Sequence, residues 1–197
     1  SFSIKPLPLL LGMAFGFSGN LWAAEPSLGD PNLSCTAPQP RKHLIAPAKT
    51  DGGAALAPDV TRVNADRING QSQVKVRAEG DVVFERNQQV LNADWVEYDQ
   101  TDATARAGER FTLSDGTSHI QGQNLTYQLD SKQGQASRAV FETEQDGRRL
   151  QGVGAEVEMH GDKRYRLKKT QLNTCNPGDD SWYIRASSID ADYNQNI

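Results

Sequence analysis

The sequence predicts an all-β body made of similar units stacked on one another. From about residue 60 onward, short runs alternate apolar and polar residues, as in VKVRAEG, RFTLSDG and YRLKKTQL, and Gly, Asn, Asp or Ser bounds each run. No segment sustains apolar residues at helical spacing over three turns. The third observation is a period near thirty residues. Five polar residues lie 28 to 32 positions apart, and a strand-like run follows each of them: Asp66, Asp94, Asn124, Glu156 and Ser188.

The composition is that of a soluble globular protein. Of the 197 residues, 37% are hydrophobic and 23% are charged, and the formal net charge at pH 7 is -4. Surfaces that bind nucleic acid are normally strongly basic. We therefore exclude nucleic acid as the main partner.

Residues 1–24 have the pattern of a secretory signal peptide. Lys5 precedes an apolar run from about Leu7 to Phe17, and the small residues Ala23 and Ala24 follow it. The apolar run is too short to cross a hydrocarbon layer of roughly 30 Å. A transmembrane anchor is the alternative, and the glycines within the run disfavour it. We expect export from the cytoplasm.

Residues 25–58 are rich in Pro, Ala and Gly, show no period, and predict an extended or disordered arm that carries Cys35. In an oxidising compartment a disulfide is the default fate of a cysteine. Cys35 and Cys175 are the two cysteines of the chain. A bond between them would close a long loop and stabilise by up to roughly 5 kcal/mol. The residues leave open whether the two pair with each other.

The body, residues 59–197, contains two registers of apolar residues. One register holds Ile68, Trp95, Leu125, Val157 and Ile189. The other is marked by Phe84, Phe111 and Leu113, with Phe141 and Leu172 as its continuation.

Two interpretations of these columns remain open. They can form an ordinary core, or bent strands can enclose an apolar trough that accepts acyl chains, because burying each methylene is favourable by about 0.8 kcal/mol. Periodicity does not separate the two. A docking module without lipid binding is a further alternative, in which the edge of the strand stack pairs with another β-protein.

The sequence predicts no catalytic site, no metal site and no cofactor. His43, His119 and His160 lack the paired spacing of metal ligands, and no HExxH, CxxC or GxSxG motif is present. Asp179 and Asp180 follow a Pro-Gly turn, and we expect them to cap backbone amides there. The remaining enzymatic alternative is a polysaccharide-degrading β-solenoid that would use the polar positions of the repeat.

The segment DKRYRLKK, residues 162–169, predicts a strand with one charged face. Arg164, Arg166 and Lys168 point to one side, and Tyr165 and Leu167 point to the other. The simpler interpretation is a solvated face over a buried one. The alternative is that the basic face meets an anionic partner, for instance lipid phosphates.

Taken together, the signal peptide, the arm with one cysteine, the NADxV-like repeats and the segment TCNPGDDSW followed by SSIDADYNQN resemble the periplasmic amino-terminal domain of the LptD (OstA/Imp) family. The Cys-x-Pro-Gly-x-x-x-Trp piece is the most specific of these features. The resemblance covers nearly the whole mature chain.

The resemblance implies a β-jellyroll of stacked, V-shaped antiparallel strands after an irregular arm, cut off before an outer-membrane β-barrel. It implies non-enzymatic transport of lipopolysaccharide, with lipid A acyl chains received in the apolar interior from the bridge protein LptA, which docks at a strand edge. The lipoprotein LptE and the protein's own barrel are further implied partners. The implied location is the outer membrane, with this segment facing the periplasm.

The resemblance also implies that Cys35 and Cys175 bond to cysteines at the far end of the barrel, which this chain does not contain. The residues expected to face lipid come from the apolar columns: Ile68, Phe84, Trp95, Phe111, Leu113, Leu125, Tyr127, Phe141, Val157, Met159 and Ile189.

Overall fold

The computed structural model describes residues 35, 44–50, 52, 56–57, 60–71, 74–145, 148–161, 163–177, 179–192 and 194. The predicted signal peptide and much of the predicted arm lie outside these ranges. Within them the regular structure consists of ten β-strands, as the alternating pattern predicts. No described helix is long and apolar enough to cross a membrane.

The strands are β1 (Thr61–Asn64), β2 (Arg67–Gln71), β3 (Lys75–Arg86), β4 (Gln89–Asp99), β5 (Thr104–Asp115), β6 (Ser118–Gln128), β7 (Gln133–Gln145), β8 (Arg148–His160), β9 (Arg164–Asn173) and β10 (Ile184–Asp192).

All ten strands belong to one antiparallel sheet in the order β1-β3-β4-β5-β6-β7-β8-β9-β10. β1 pairs with the second half of β3, and β2 pairs with its first half. The two short strands therefore act together as one interrupted edge strand. Neighbours in the sheet are neighbours in sequence, so each hairpin of two long strands corresponds to one repeat of about thirty residues.

A line of irregular pairing crosses the sheet and divides every long strand in two. The register slips between Glu79 and Val82 in β3, and between Ala107 and Phe111 in β5. Several non-glycine residues on this line have positive φ, namely Asp81, Glu109, Asn124, Arg138 and Lys169. Bulges of this kind bend a strand and increase its twist. The bends account for the V shape of the strands.

We call the two halves of the sheet wing A and wing B. Wing A comprises β2 and residues 75–79, 95–99, 104–107, 125–128, 133–137, 156–160, 164–168 and 188–192. Wing B comprises β1 and residues 82–86, 89–93, 111–115, 118–122, 139–145, 148–154, 170–173 and 184–186. The inner faces of the two wings pack on each other and form the hydrophobic core. Because side chains alternate between faces, each wing has an outer face as well.

Candidate functional site

The inner face of wing A carries a column of apolar residues, which a register slip between β6 and β7 interrupts. Ile68 pairs with Ala78, Ala78 with Val96, Val96 with Ala107, and Ala107 with Leu125. At the other end of the sheet the column continues through directly paired residues: Ala136, Val157, Leu167 and Ile189. Apolar surface therefore runs from one edge of the sheet to the other.

Wing B carries a parallel column on its inner face. Each of its members pairs with the next across neighbouring strands: Val63, Phe84, Leu91, Leu113, Ile120, Phe141, Gly152, Leu172 and Ile184. The strands approach each other too closely at Gly152 for a side chain, because a Cβ there would lie 2.8 Å from the Cα of Leu172.

The structure brings most of the predicted lipid-facing residues together. Eight of the eleven belong to the buried core: Phe84, Phe111, Leu113, Leu125, Tyr127, Phe141, Val157 and Met159. Ile189 packs against this core and is partly buried. Ile68 lies in the wing A column at the edge of the sheet, where 51% of its surface is exposed.

Trp95 does not lie in the column, and Val96 takes the predicted place. The register between β4 and β5 slips at Asp94, so Trp95 turns to the outer face. There the Arg77 guanidinium lies 4.5 Å from the centroid of the indole ring. A Cβ on Gly108 would come within 2.3 Å of the indole, so the glycine is what allows the ring to lie flat on β5. Two adjacent apolar residues concealed this bulge in the sequence.

The two ends of the groove between the wings differ from its middle. The core residues of β4 to β8 are buried, whereas Ile68 on β2 and Ile184 on β10 are 51% and 48% exposed. Both isoleucines lie on inner-face columns. The apolar interior therefore reaches solvent at each edge of the sheet.

The side of the groove opposite the bend is a seam between the hairpin turns of the two wings. Polar contacts bridge it: Arg86 of wing B pairs with Asp130 at 3.0 Å, and Lys132 pairs with Asp115 of wing B at 2.9 Å. Gln89 also donates a hydrogen bond to the Leu129 carbonyl, 3.3 Å away. Surface ion pairs contribute only about 0–1 kcal/mol each. The Lys132–Asp115 pair is of this exposed kind, whereas the Arg86 side chain is 11% exposed and the hydrogen bond of Gln89 is buried, so weak and stronger contacts hold the seam together.

Three successive cavities follow the seam. The first has a volume of about 140 Å³ and ends at Asp115 and Lys132. The second, of about 750 Å³, extends from that ion pair to Arg86 and Asp130. The third, of about 640 Å³, begins at Arg86 and Asp130 and reaches Val63 and Tyr98. The two ion pairs thus separate neighbouring cavities along the groove.

The inner face contains buried tyrosines, and the Arg86 guanidinium reaches one of them by donating a hydrogen bond to the Tyr98 hydroxyl at 2.7 Å. Burial raises the pKa of Tyr127, and burial also raises the pKa of Tyr165. A side-chain hydrogen bond with Ser118 opposes this shift at Tyr165. Both tyrosines stay protonated at neutral pH.

The polar positions of the repeat lie at the bend and do not converge on one point. The Arg110 guanidinium donates to both carboxylate oxygens of Asp94, at 2.9 and 3.2 Å, and lowers the pKa of that carboxyl. Glu156 pairs with Lys168 at 3.1 Å. Cations thus hold two of these carboxylates in separate ion pairs, an arrangement typical of a surface network.

The cysteines and histidines do not assemble a metal centre among the described residues. Cys35 and Cys175 are bonded to each other, with an S–S distance of 2.07 Å. Asp179 lies beside them, but sulfur atoms in a disulfide are not thiolate ligands. Because each sulfur forms one disulfide at a time, the pairing with barrel cysteines that the resemblance implied is an alternative to this bond, and it stays a prediction. His119 is buried and His160 is exposed, while His43 lies outside the described residues.

Sequence reasoning missed a structural element inside the predicted arm. Residues 44–50, which we call the strap, cross the outer face of wing B. The Leu44 amide donates to Glu142 at 2.7 Å, the Ala48 amide to Ser114 at 2.9 Å, and the Lys49 amide to Asn92 at 2.5 Å. The pair Leu44–Ile45 was the available signal, because these are large apolar residues within a Pro/Ala-rich stretch.

Beneath the strap lies a row of buried polar residues. Its members pair strand by strand across the outer face of wing B: Glu85, Val90, Ser114, His119, Glu142, Gln151 and Asn173. All of them except Val90 are buried polar side chains. At the end of the row the Asn173 side chain accepts from the Cys175 amide at 3.0 Å. The row thus connects the strap to the disulfide loop.

Comparison with known proteins gives consistent matches. A family model described as LptA/(LptD N-terminal domain) LPS transport protein matches residues 62–197. The LPS-assembly proteins LptD of Neisseria gonorrhoeae and of Neisseria meningitidis serogroup A are 41% and 42% identical over 100% of this chain. The LptD of Chromobacterium violaceum is 30% identical over 96% of this chain.

Among solved structures, LptH from Pseudomonas aeruginosa aligns with a TM-score of 0.42 and 16% identity, covering 50% of this chain and 74% of that chain. The chain spans 28% of the length of the Neisseria relatives. The family model covers more than two thirds of the chain, and the Neisseria proteins match it throughout. The chain therefore belongs to the LptD family, and its β-body corresponds to the amino-terminal domain of that family.

Proposed function

We propose that this segment carries the acyl chains of lipopolysaccharide between its two wings and passes them towards a β-barrel of the longer protein. The function needs no catalysis. It would take place in the periplasm, at the inner side of the outer membrane.

The observation that supports the proposal is the continuity of the inner columns. Equivalent apolar positions repeat on every strand from the β1/β2 edge to β10. An acyl chain that moves from one strand to the next would exchange similar contacts, each worth about 0.8 kcal/mol per buried methylene. Movement along the groove would then cost little net free energy.

Entry of a chain into the middle of the groove requires the wings to separate. The core between β4 and β8 is closely packed, and the seam cavity beside it measures about 140 Å³. Opening breaks the polar bridges of the seam, of which the Arg86 and Gln89 side chains are largely buried, and the entering acyl chain would replace the apolar contacts that the wings lose. We expect the exposed inner residues of the edge strands to contact lipid first.

Site-specific photocrosslinking to lipopolysaccharide tests this assignment. A benzoylphenylalanine at Ile68, Tyr127 or Ile184 places the reactive group on the inner face, and the first and last of these positions are exposed enough to accept it without unfolding. Trp95 and Arg106 are matched controls on the outer face. We expect adducts from the three inner positions and few from the controls.

Adducts of equal yield from both faces of the folded protein would contradict the groove. So would unchanged lipopolysaccharide binding in Ile68→Asp together with Ile184→Asp, because these changes place charge at both exposed ends of the columns. Circular dichroism of each variant supplies the check on folding.

A docking module is the second candidate, and the sheet edges favour it. Among the strands given above, β1, β2 and β10 pair along one side only, and each edge exposes an isoleucine of an inner column. Such an edge can extend its sheet into another β-protein. A bridge protein of the LptA type would add to one edge, and the barrel with LptE would follow the other.

The two functions separate in a binding assay with both ligands. A lipid carrier binds lipopolysaccharide in the absence of a partner protein. A docking spacer binds an LptA-type partner and shows no lipid adducts at Tyr127, which lies in the closed middle of the groove.

A further inference from the structure

The strap is fixed to wing B by its backbone and by one buried side chain. Besides the amide hydrogen bonds described above, the Asn92 side chain makes a two-way contact, because it accepts the Lys49 amide and donates to the Lys49 carbonyl at 3.1 Å. Ile45 is 2% exposed, although it does not belong to the core between the wings. Its neighbour Ala46 is exposed. The strap therefore has an apolar anchor of its own.

The strap and the disulfide are attached to the same row of side chains. Glu142 accepts the Leu44 amide and lies opposite Gln151 on the neighbouring strand. Gln151 donates a hydrogen bond to the Asn173 side chain at 2.9 Å. Asn173 in turn accepts the Cys175 amide at 3.0 Å. One row of contacts therefore leads from the strap to the disulfide.

Docking of the strap shortens the chain that connects Cys35 to the sheet. Leu44 lies nine residues after Cys35, whereas Thr61, where β1 begins, lies 26 residues after it. For a flexible chain these lengths correspond to root-mean-square spans of about 16 Å and about 28 Å.

The two attachment points also differ in their distance from Cys175, which follows β9. In the sheet order β7, which binds Leu44 through Glu142, is two strands from β9, and β1 is seven strands from it. At about 4.8 Å per strand these separations are about 10 Å and about 34 Å. A docked strap therefore confines Cys35 to a smaller volume that lies nearer to Cys175.

We propose that docking of the strap selects Cys175 as the partner of Cys35. Release of the strap lowers the effective concentration of the two thiols about tenfold, because this quantity falls with chain length and falls further when the chain is shorter than its span. Cys35 then becomes available to other thiols. Coupling of two equilibria is reciprocal, so the disulfide strengthens docking of the strap by the same factor. The inference goes beyond the proposed function, since it does not involve lipid.

Exchange with glutathione measures the effective concentration of the two thiols. Two molecules of reduced glutathione transfer two electrons and two protons to the Cys35–Cys175 bond, which opens to two thiols, and one molecule of oxidised glutathione forms. The chain is equilibrated in buffers that contain reduced and oxidised glutathione at different ratios. Rapid alkylation traps the thiols, and mass spectrometry gives the oxidised fraction.

Two neighbouring substitutions that add the same charge separate release of the strap from a general effect of charge. Ile45→Asp places a carboxylate at the buried anchor and should lower the effective concentration about tenfold. Ala46→Asp adds the carboxylate at an exposed position and should leave the effective concentration unchanged. Ala48→Pro removes the amide that Ser114 accepts and should act in the same direction as Ile45→Asp, so it repeats the test if that variant fails to fold.

Amide hydrogen exchange measures the reciprocal effect in the parent chain. The amides of Leu44, Ala48 and Lys49 should exchange about tenfold faster after reduction of the disulfide, since reduction weakens docking of the strap. The Arg164 amide donates to the Gly161 carbonyl in a turn of wing A and is the matched reporter of local opening elsewhere. Its exchange rate should not change.

Each contrary outcome overturns the inference. If Ile45→Asp and Ala48→Pro keep the equilibrium of the parent with glutathione, the strap does not select the partner of Cys35. Equal exchange of the strap amides in the oxidised and reduced chains would exclude the reciprocal effect. A loss in Ala46→Asp as large as that in Ile45→Asp would show that any charge in this segment disturbs the bond. The proposed function is tested separately, by crosslinking to lipid.

Discussion

The outer faces of the two wings are built in opposite ways. Wing A exposes a ladder of ion pairs to solvent, such as Lys168 with Glu158 at 2.5 Å and Arg166 with Asp190 at 2.7 Å. Wing B buries its polar row under the strap and fixes the strap with backbone hydrogen bonds to Glu142 and Ser114. The same sheet therefore has one solvated outer face and one covered outer face.

The difference indicates which outer face contributes more to stability. Exposed ion pairs contribute little to stability and exchange readily with water. Buried polar groups have already given up their hydration, so breaking one of their contacts leaves them unsatisfied. The disulfide loop and the strap both attach to wing B. We therefore expect changes on the outer face of wing B to cost more than changes on that of wing A.

The largest expected effect comes from the disulfide. Cys35→Ser should lower the free energy of unfolding by about 3–5 kcal/mol, because the bond closes a loop of 140 residues. Urea unfolding of the oxidised parent and the variant measures the loss. Cys35→Ser with Cys175→Ser is the control and should cost the same as the single change. A loss below about 1 kcal/mol would contradict this contribution of the bond to stability.

The second test compares one carboxylate from each outer face. Glu142 is 2% exposed and accepts the Leu44 amide, so Glu142→Ala should cost about 1.5–3 kcal/mol, the range for a hydrogen bond to a charged group. Glu156→Ala on wing A should stay within about 0.5 kcal/mol, the usual range for surface changes. Chemical unfolding of both variants gives the comparison. Equal losses would contradict the distinction between the wings.

The third test compares a glycine at a turn of each wing. Gly116, in the turn between β5 and β6 of wing B, has φ +61° and no atom within 4 Å of an added Cβ, so Gly116→Ala should cost about 1 kcal/mol from backbone strain alone. Gly161 of wing A adds a clash with the Ser131 carbonyl to a similar φ. We expect Gly161→Ala to lower the melting temperature further than Gly116→Ala. The reverse order would show that the two wing A turns are not packed on each other.

Much of the inner face could be predicted from the sequence, because strand alternation and a period near thirty residues together fix which residues share a column. Phe84, Leu113 and Phe141 follow directly from that rule. Trp95 could not be placed, because the bulge at Asp94 changes the face of the sheet on which the following side chains lie. Trp95 and Val96 are both apolar, so the pattern does not show which of the two points inward. Bulge positions depend on cross-strand packing, which a local pattern does not contain.

The outer face of wing B was unpredictable for a different reason. Ser114, His119 and Glu142 look like solvated strand residues, as polar residues on an outer face usually are. What buries them is a segment more than sixty residues away in sequence, as with the Ala48 amide and Ser114. The pairing of Cys35 with Cys175 was likewise one of several open possibilities, because sequence separation alone does not bring two thiols together.

The smallest expected effect concerns the wing A ladder and its dependence on pH. The hydrogen bond that Lys168 donates to Glu158 lowers the pKa of Glu158 from its ordinary value of 4.5 and raises the pKa of Lys168 from 10.5. A lowered carboxyl pKa stabilises the fold above pH 4.5 and loses this contribution as the pH falls through the folded value. The raised lysine pKa contributes below pH 10.5 and loses its contribution as the pH rises further.

Lys168→Ala should therefore lower the stability slightly between these limits, and the difference should shrink at pH 3, because the carboxyl takes up a proton as the pH falls. Salt should reduce the effect, because the pair is exposed. Thermal unfolding at pH 3 and pH 7, with and without 1 M NaCl, measures it. A penalty that is undiminished at pH 3 would show that Lys168 acts through packing of its aliphatic chain. Burial would then stabilise the outer face of wing A, as it does that of wing B.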